Sequence, residues 1–306
     1  MSISQRLKLG YSIGTRSILG RPWGFSFNVS DRCPIGCDCY WRAQARVAEM
    51  SDDDVEIFFL GMREEGYQHV TMIGGEPYVR PNLLKRIVGI IPSNWLITSG
   101  TSPLIYFDKT THIISIDGKD AETHDRIRKS PGLFGRIVKN LSVARGKWGK
   151  EFGVIAHSVL NAMNYRQISD ILSFWKGNGL VDGIMFSMAT PIDAGNELHL
   201  RLSSLEHEWI MKELLYQKEH FKDFLLMSRL MIEHFDPDRV KKQRPETCRT
   251  SLHIQSFAAD GSRIERCVLS PKADCGACGC VITGILDGIY GAEIETIKII
   301  NRMITV

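Results

Sequence analysis

Two patterns of hydrophobic positions alternate along the 306-residue chain from about residue 23 to residue 188. Short runs rich in Val, Ile and aromatic residues are typical of buried strands, and longer runs with apolar residues every three or four positions are typical of amphipathic helices. The six strand-like runs are residues 23–30, 69–73, 95–98, 112–116, 152–160 and 183–188. Helical patterns lie between them near residues 52–65, 81–91, 134–145 and 165–176.

Each predicted strand is followed by a helical pattern or by a connection long enough to hold one. This order predicts a parallel sheet with right-handed crossovers. A closed barrel of eight such units would need two more strands, but residues 205–235 show a helical pattern throughout. We therefore expect an α/β fold, namely a partial (β/α)6 TIM-like barrel followed by a small C-terminal domain.

The charged run at residues 236–245 contains two prolines and is typical of a linker. Its basic residues have the ordinary interpretation of a solvated surface. The expected division is an N-terminal segment at residues 1–22, the barrel at 23–225, the linker at 226–245 and the C-terminal domain at 246–306.

The composition is that of an ordinary globular protein, with 43% hydrophobic and 24% charged residues. A formal net charge of +3 gives no reason to expect nucleic-acid binding. The sequence shows no signal peptide and no apolar run suited to a membrane span, so we expect a cytoplasmic protein. Residues 3–19 mix apolar and basic positions, and we expect them to cover the barrel rather than to contact a membrane.

The eight cysteines fall into two groups at opposite ends of the chain. Structural thiols would be scattered singly through core segments, and disulfides are rare in a reducing compartment. Cysteines grouped beside Gly, Pro and Asp are typical of a metal site instead. The first group, which would leave one iron of a four-iron cluster without a protein ligand, is Cys33, Cys37 and Cys39. The second group is Cys248, Cys267, Cys275, Cys278 and Cys280.

Polar and glycine-rich motifs follow the carboxyl ends of the predicted strands. The first cysteines follow strand one, GGEP at residues 74–77 follows strand two, and TSG at residues 98–100 follows strand three. SIDG at residues 115–118 ends strand four, and MATP at residues 188–191 follows strand six. In barrels of this kind the carboxyl ends of the strands share the face that holds the active site. Five segments are therefore expected to meet at one site.

The first cysteine group and the GGEP motif resemble the radical S-adenosylmethionine (SAM) superfamily. The resemblance continues through SIDG, through HDRIR at residues 124–128 and GLFGR at residues 132–136, and covers roughly residues 23–191. Only Asp38 separates Cys37 from Cys39, where the family pattern has two residues. In an extended segment, residues i and i+2 point to one side, with Cα atoms at most about 7 Å apart. Two such thiolates can reach different irons of one cluster.

This resemblance implies that the first cysteine group holds a [4Fe–4S] cluster and that its remaining iron binds SAM. Reduction of the cluster would break the sulfonium C–S bond, and the resulting 5′-deoxyadenosyl radical would remove a hydrogen atom from the substrate. The implied electron donor is a protein such as flavodoxin or ferredoxin. The residues that the resemblance places around SAM are Tyr40, Gly74, Gly75, Glu76, Pro77, Ser99, Ser115, Asp117, Arg128 and Phe186.

Several residues in this region also have an ordinary structural interpretation. Tyr40 fits a core aromatic equally well, and Arg128 fits a solvated helix charge. His157 and Phe186 follow the pattern of strands five and six, where a packed core residue is more common than a ligand. His124 and the adjacent Asp125 could suggest a metal site or an acid/base pair, but adjacent residues at a helix start do not face one another. His124 is therefore expected to be structural.

The second cysteine group surrounds a hairpin signal, with Asp260 and Gly261 between two short apolar runs. Such a hairpin would bring Cys248 and Cys267 together. The arrangement is similar to the twitch or SPASM auxiliary domain of the same superfamily, which implies a second [4Fe–4S] cluster. Four of the five cysteines suffice for it, and the sequence leaves open which four. A zinc site is the alternative, although the eighteen residues between Cys248 and Cys267 are not a standard zinc spacing.

Together these features predict a radical SAM enzyme that acts on an unreactive C–H bond. We expect a small-molecule substrate, in a sugar or alcohol dehydrogenation or epimerisation, because only residues 1–22 precede the first strand and a peptide maturase often carries a peptide-binding domain there. A peptide-modifying maturase is the first alternative. A non-catalytic iron–sulfur or zinc-binding scaffold or electron carrier is the second, and Glu76 with its glycines argues against it, because an electron carrier needs no methionine site.

Overall fold

The computed structural model describes residues 3–37, 47–192, 200–269 and 272–305. The strands found there are β1 (Gly24–Ser30), β2 (His69–Gly74), β3 (Ser93–Thr98), β4 (Thr110–Ser115), β5 (Val154–Leu160), β6 (Ile184–Met188), β7 (Ile254–Phe257) and β8 (Arg263–Ile264). They form one sheet in the order β6-β5-β4-β3-β2-β1-β7-β8. Strands β1 to β6 are parallel neighbours in chain order, which confirms the predicted partial (β/α)6 barrel.

Helices separate the strands and follow them toward the C-terminus. Those described are α1 (Ile3–Ile18), α2 (Asp52–Glu64), α3 (Pro81–Ile87), α4 (Ala121–Arg128), α5 (Leu133–Trp148), α6 (Ile168–Asn178), α7 (Ser204–Phe221), α8 (Arg229–Glu233), α9 (Pro237–Val240), α10 (Arg249–His253), α11 (Val281–Tyr290) and α12 (Ile294–Thr305). Helix α2 begins where the sequence predicts, because the Ser51 side chain accepts a hydrogen bond from the backbone N–H of Asp54.

The continuous helical pattern predicted for residues 205–235 is wrong in its middle. Helix α7 ends before Lys222, which has a positive φ of 41°. The chain then runs beside β6, where the backbone N–H of Leu226 donates to the carbonyl oxygen of Ile184 at 2.7 Å. Helix α8 begins only after Ser228, which caps it. The edge of the sheet interrupts the helix because unpaired backbone groups of an edge strand need partners.

The predicted C-terminal hairpin is confirmed. Strands β7 and β8 are antiparallel, and Gly261 takes a φ of +79° in the turn between them. Strand β7 also pairs in parallel with β1, with Ile254 opposite Gly24. The sheet thus continues from the barrel into the C-terminal region, while the expected division of the chain into domains stays a prediction.

Alternation along the strands separates an apolar outer face from an inner face that lines a cavity. On β1, Phe25 and Phe27 point outward, and each ring centroid lies 5.4 Å from that of Phe59 in α2. Ser26 lies between them and faces the inside, where its hydroxyl donates to Ser256 Oγ at 2.9 Å. Side chains on the inner face are therefore the ones available to a ligand.

Helix α11 runs along the open side of the barrel. At its start the N–H of Val281 donates to Ser187 Oγ of β6 at 3.2 Å. At its end the Tyr290 hydroxyl accepts a hydrogen bond from Trp23 Nε1 at 3.0 Å, just before β1. The helix therefore extends from the carboxyl end of β6 to the amino end of β1.

Helices α1 and α12 lie at the amino ends of the strands. The Thr111 hydroxyl of β4 donates to the carbonyl oxygen of Met303 in α12. Arg16 of α1 donates to the carbonyl oxygens of Pro22 and Glu65, which precede β1 and β2. This position of α1 agrees with the expected cover of the barrel. Among the helices of the described residues, none is long and apolar enough to cross a bilayer.

Four buried histidines are expected to make stability depend on pH. Burial lowers the pKa of His69, His112, His124 and His157 from 6.5 to about 4. The unfolded chain therefore binds more protons between pH 6.5 and pH 4, and the free energy of unfolding falls as the pH drops through this window.

We expect urea unfolding of the apoprotein to give a free energy lower at pH 5 than at pH 7 by roughly 2 kcal/mol for each histidine. His112→Phe should make this pH dependence shallower, because it removes one titrating group. The new ring is expected to be tolerated, since the His112 ring already lies between those of Phe107 and Phe152. Exposed His220 is the control, and His220→Gln should keep the slope. Equal stability of the wild-type protein at both pH values would contradict the prediction.

Candidate functional site

A cavity of about 900 Å³ fills the inside of the barrel. Its walls are the inner faces of β1 to β6, together with α1, α11, α12 and the C-terminal cysteine loop. Most of the wall is apolar. The volume of the cavity lies in the range of small-molecule sites. Polar side chains of the strands that face it include Ser26, Thr71, Ser115, His157 and Ser187.

The first cysteine group follows β1 at the carboxyl end of the barrel. Cys37 is buried and lines the cavity. Cys33 is partly buried and packs against the hydrophobic core. Cys39 and Tyr40 lie outside the described residues. The structure therefore brings one of the three predicted cluster ligands to the cavity wall and a second close to the core beside it.

The GGEP residues hold this cysteine loop in place. The N–H of Gly75 donates to the carbonyl oxygen of Ser30 at 2.8 Å, and the N–H of Glu76 donates to that of Arg32 at 2.9 Å. Gly74 has a φ of +121°, and a Cβ atom at Gly75 would overlap the Arg32 carbonyl group. At these two glycines, both predicted to lie near SAM, the close approach in the structure is made by the backbone that leads into the cysteine loop.

The Glu76 carboxylate is fully buried and accepts four hydrogen bonds. Its Oε1 accepts from the Thr98 hydroxyl at 2.7 Å and from the N–H of Tyr78 at 3.1 Å. Its Oε2 accepts from the N–H of Ser99 at 2.8 Å and from the Ser99 hydroxyl at 2.5 Å. Pro77 opens the short 3-10 turn that follows. Glu76 and Ser99, both predicted to contact SAM, therefore bind each other and connect β2 to β3.

A buried ion pair lies just beyond β4 at the cavity wall. Arg128 Nε is 2.7 Å from Asp117 Oδ2, and the N–H of Val159 donates to Oδ1 at 2.9 Å. The N–H of Asp117 donates to His124 Nδ1 at 3.0 Å, which gives this histidine a structural contact. Ser115, Asp117 and Arg128 all line the cavity. For Arg128, the solvated-charge interpretation is replaced by a pair that is largely shielded from solvent.

His157 and Phe186 point to opposite faces of the sheet. His157 lines the cavity, with Nε2 at 2.9 Å from Ser187 Oγ, and burial lowers its pKa to about 4, so the ring is neutral at neutral pH. Phe186 is fully buried in the core, whereas its neighbours Met185 and Ser187 line the cavity. The cofactor contact assigned to Phe186 disagrees with this position, because adjacent strand residues face opposite sides.

The sequence reasoning missed several residues of this site. Asn161, directly after β5, lines the cavity, and Asn164 Nδ2 donates to the backbone carbonyl oxygen of Asp117 at 2.9 Å. The rule that polar residues follow strand ends would have found both. Helix α1 also contributes Leu9 and Ile13 to the wall, and no local signal identified that contribution.

All five C-terminal cysteines line the same cavity as Cys37. Their loop is attached to the end of β6, because the N–H of Met188 donates to the carbonyl oxygen of Gly279 at 2.8 Å. The N–H of Gly279 in turn donates to Thr190 Oγ1 at 3.0 Å. The Thr190 hydroxyl donates to Cys278 Sγ at 3.9 Å. The structure therefore brings both cysteine groups, far apart in sequence, to one cavity.

The chemistry of this second donor set fits an iron–sulfur cluster. Burial raises the pKa of the Cys278 thiol to about 12 and that of Cys280 well above its usual value, and coordination to a metal is the interaction that deprotonates a thiol outright. The described residues contain no group of three or more His, Cys, Asp or Glu arranged around a single ion position. A thiol-only donor set is the one that iron–sulfur clusters take, and a four-cysteine zinc site takes it as well, so iron analysis decides between them.

No protein-family model matches the chain. Two curated relatives are named AdoMet-dependent heme synthase. The one from Methanosarcina barkeri is 24% identical over 185 residues, which are 56% of this chain and 52% of the relative. The one from Nitratidesulfovibrio vulgaris is 23% identical over 200 residues, which are 61% of this chain and 53% of the relative. The chain thus spans about half the length of these relatives.

Solved structures share the fold at low sequence identity. Streptococcus suis SuiB bound to its precursor peptide SuiA is 14% identical, with a TM-score of 0.63 over 93% of this chain and 69% of SuiB. Native anSMEcpe with bound AdoMet is 15% identical, with a TM-score of 0.64 over 86% of this chain and 80% of that one. These likenesses and the curated relatives support the assignment to the radical SAM superfamily that the motifs indicate.

Proposed function

We propose that this chain is a radical SAM enzyme whose active site lies at the carboxyl end of the barrel. The observation that carries the proposal is the meeting of Cys37, Ser115, Asp117 and Arg128 on one cavity wall. These residues come from separate motifs that the same family resemblance selects. In this proposal Cys39, although outside the described residues, completes the set of three thiolate ligands.

The residues present fit the group that the resemblance implies, and each has a definable task. When bound, the cluster and SAM supply the one-electron chemistry that removes a hydrogen atom from an unreactive carbon. Glu76 ties the GGEP turn to β3, and this turn holds the cysteine loop through Ser30 and Arg32. Asp117 orients the Arg128 guanidinium at the wall, where its geometry suits a carboxylate such as that of methionine.

The apolar wall has a chemical task as well. A reactive radical is quenched by side reactions unless the protein excludes water and mobile polar groups. The walls of this cavity meet that need over most of their surface. The neutral His157, held beside Ser187, adds polarity without a charge.

For the substrate we propose a small molecule, as in an alcohol dehydrogenation or epimerisation. The support is that the cavity of about 900 Å³ inside the barrel must hold SAM as well as the substrate, so the space left for the substrate suits a small molecule. A peptide substrate is the second candidate, because SuiB and anSMEcpe, which share the fold, have been solved with peptides bound. A competition assay separates the two candidates: it measures whether added peptides compete with the natural substrate for the enzyme.

A second [4Fe–4S] cluster on four of the five C-terminal cysteines is part of the same proposal. The support is their thiol-only donor set on the wall that Cys37 shares. Its proposed task is to accept or pass on an electron, with flavodoxin or ferredoxin as the donor to the enzyme. The predicted cytoplasmic location belongs to this proposal too, because a reducing compartment keeps such thiols available.

Anaerobic reconstitution tests the proposed function. We expect about eight irons per chain, four in each cluster, and formation of 5′-deoxyadenosine from SAM after reduction with dithionite. Zinc in place of iron would overturn the proposal. Iron without 5′-deoxyadenosine under several reductants would also overturn it and would favour an electron carrier or scaffold.

A further inference from the structure

The cavity extends beyond the proposed site of chemistry to the other end of the barrel. Trp23, which precedes β1, lines it, and so do His69 and Ser93, the first residues of β2 and β3. These residues mark the amino end, where α1 and α12 lie. The cavity therefore connects the carboxyl-end site with the region that these two helices cover.

Two residues of the wall are also exposed to solvent, which marks an opening at this end. Ile18 of α1 is 88% exposed, and Ile297 of α12 is 38% exposed. Ser17 Oγ lies 2.6 Å from the Tyr290 hydroxyl, so the end of α1 adjoins the end of α11, shortly before α12 begins. We call the opening bounded by Ile18, Tyr290 and Ile297 the α1–α12 mouth.

The outer face of α1 beside this mouth is apolar. Leu7 is 70% exposed and Tyr11 is 76% exposed. With Ile18 they occupy positions i, i+4 and i+11, which lie on one face of a helix. Ile294, the first residue of α12, is exposed as well. Three large apolar side chains exposed along one face of α1 give this helix a surface suited to an apolar contact.

Positive charge accompanies these apolar residues. The first 30 residues of the chain contain four basic residues and no acidic one. Of these, Lys8 and Arg21 are exposed, and Lys298 is exposed on α12. Two carboxylates lie at the start of α12: Glu293 accepts a hydrogen bond from the N–H of Thr296 at 2.8 Å, and Glu295 is held by Lys218 at 2.9 Å. The surface around the mouth is thus complementary to an anionic partner.

We propose that the α1–α12 mouth docks on an anionic lipid surface and admits an apolar substrate from it. A helix with one apolar exposed face and flanking basic residues is suited to lie in the membrane interface. The apolar wall of the cavity then gives such a substrate a continuous path to the carboxyl-end site. This inference rests on the proposed function for its chemistry, and it narrows the substrate to a lipid-soluble alcohol or a similarly apolar molecule.

The structure changes the expectation drawn from the sequence, in which the N-terminal residues cover the barrel and do not contact a membrane. Helix α1 does cover the barrel through Leu9 and Ile13, which line the cavity. The face that carries Leu7 and Tyr11 adjoins that inner face, since Ile18 on the same face also lines the cavity, and Leu7 and Tyr11 remain exposed. One helix thus has an inner face for the cavity and an outer face for a second surface.

Vesicle co-sedimentation of the full chain tests the docking surface. The probes are vesicles of phosphatidylcholine alone and vesicles of an equimolar mixture with phosphatidylglycerol. We expect binding to the mixed vesicles, and a loss of more than about tenfold in affinity for the Leu7→Ser/Tyr11→Ser variant, because it removes two apolar contacts. The control is Leu205→Ser, a residue of α7 that is 78% exposed and should leave binding unchanged.

The outcomes are distinct. Raising the ionic strength from about 0.1 M to about 1 M should weaken wild-type binding, since the Debye length falls from about 10 Å to about 3 Å. No binding to mixed vesicles, or equal binding by the double variant, overturns the docking proposal. A dimer that the double variant dissociates, without vesicle binding, overturns it in favour of a second copy on this face. Formation of 5′-deoxyadenosine is measured separately, without lipid. If the wild-type protein forms none, the proposed function is refuted, and the docking result is unaffected.

Discussion

Replacing Cys37 by alanine is expected to lower the iron content from about eight to about four per chain and to reduce 5′-deoxyadenosine formation to background. Cys37 is the described member of the first cysteine group that lines the cavity. Three thiolates hold three irons of the cluster and leave the fourth for SAM. With two thiolates, a second iron loses its ligand, and the chain has no spare cysteine nearby in sequence to replace it.

The matched control for this variant is the double variant Cys278→Ala/Cys280→Ala. It leaves three of the five thiols of the second group, fewer than the four that the second cluster needs, so the iron content should also fall by about four while cleavage of SAM persists. Iron analysis alone would not separate the two variants, but the 5′-deoxyadenosine assay does. Cleavage by Cys37→Ala at the wild-type level would contradict the proposed function, and Cys39→Ala repeats the test for the short Cys37 to Cys39 spacing.

Glu76→Gln is expected to lower the free energy of unfolding by about 2–3 kcal/mol, even though it preserves the size of the side chain. Each carboxylate oxygen accepts from one backbone N–H, that of Tyr78 at Oε1 and that of Ser99 at Oε2. An amide group must place its NH₂ against one of them in either orientation, because backbone N–H groups cannot become acceptors. One buried donor is then left without an acceptor.

Urea unfolding of the apoprotein measures this effect. Glu64→Gln is the control, because Glu64 is exposed on α2 and its replacement should change the free energy by less than about 0.5 kcal/mol. A Glu76→Gln protein as stable as wild type would refute the buried structural role of the carboxylate. Full stability with loss of SAM cleavage would instead assign Glu76 to direct contact with the cofactor, as the family resemblance implies.

Local patterns were sufficient where the physical cause is local. The six parallel strands and the C-terminal hairpin follow from runs of β-branched and aromatic residues and from the Asp260–Gly261 turn, and both predictions are confirmed. The pattern failed at residues 222–228, where α7 ends beside β6. A helical periodicity carries no information about the edge strand that needs partners there.

Site residues show the same limit. The resemblance selected Glu76, Ser99 and Phe186 as contacts of one cofactor, and that contact stays a prediction. The structure shows that Glu76 and Ser99 bind each other and that Phe186 lies in the core. The motifs that contain these residues indicate where the chain turns. They do not indicate where each side chain points, because that direction depends on the position of the residue in the strand. Asp117 and Arg128 were selected on the same grounds, and the structure brings them to the cavity wall.

By itself the sequence determined the class of fold, the two cysteine groups and the kind of metal chemistry that suits them, because periodicity, spacing and ligand type are properties of neighbouring residues. Only the tertiary structure decided that cysteines more than 200 positions apart share one cavity, as Cys37 and Cys248 do. It also decided that the cavity continues to an exposed apolar edge of α1. Those relations arise from the curvature of the sheet and the packing of α1, α11 and α12, which join segments that no local pattern connects.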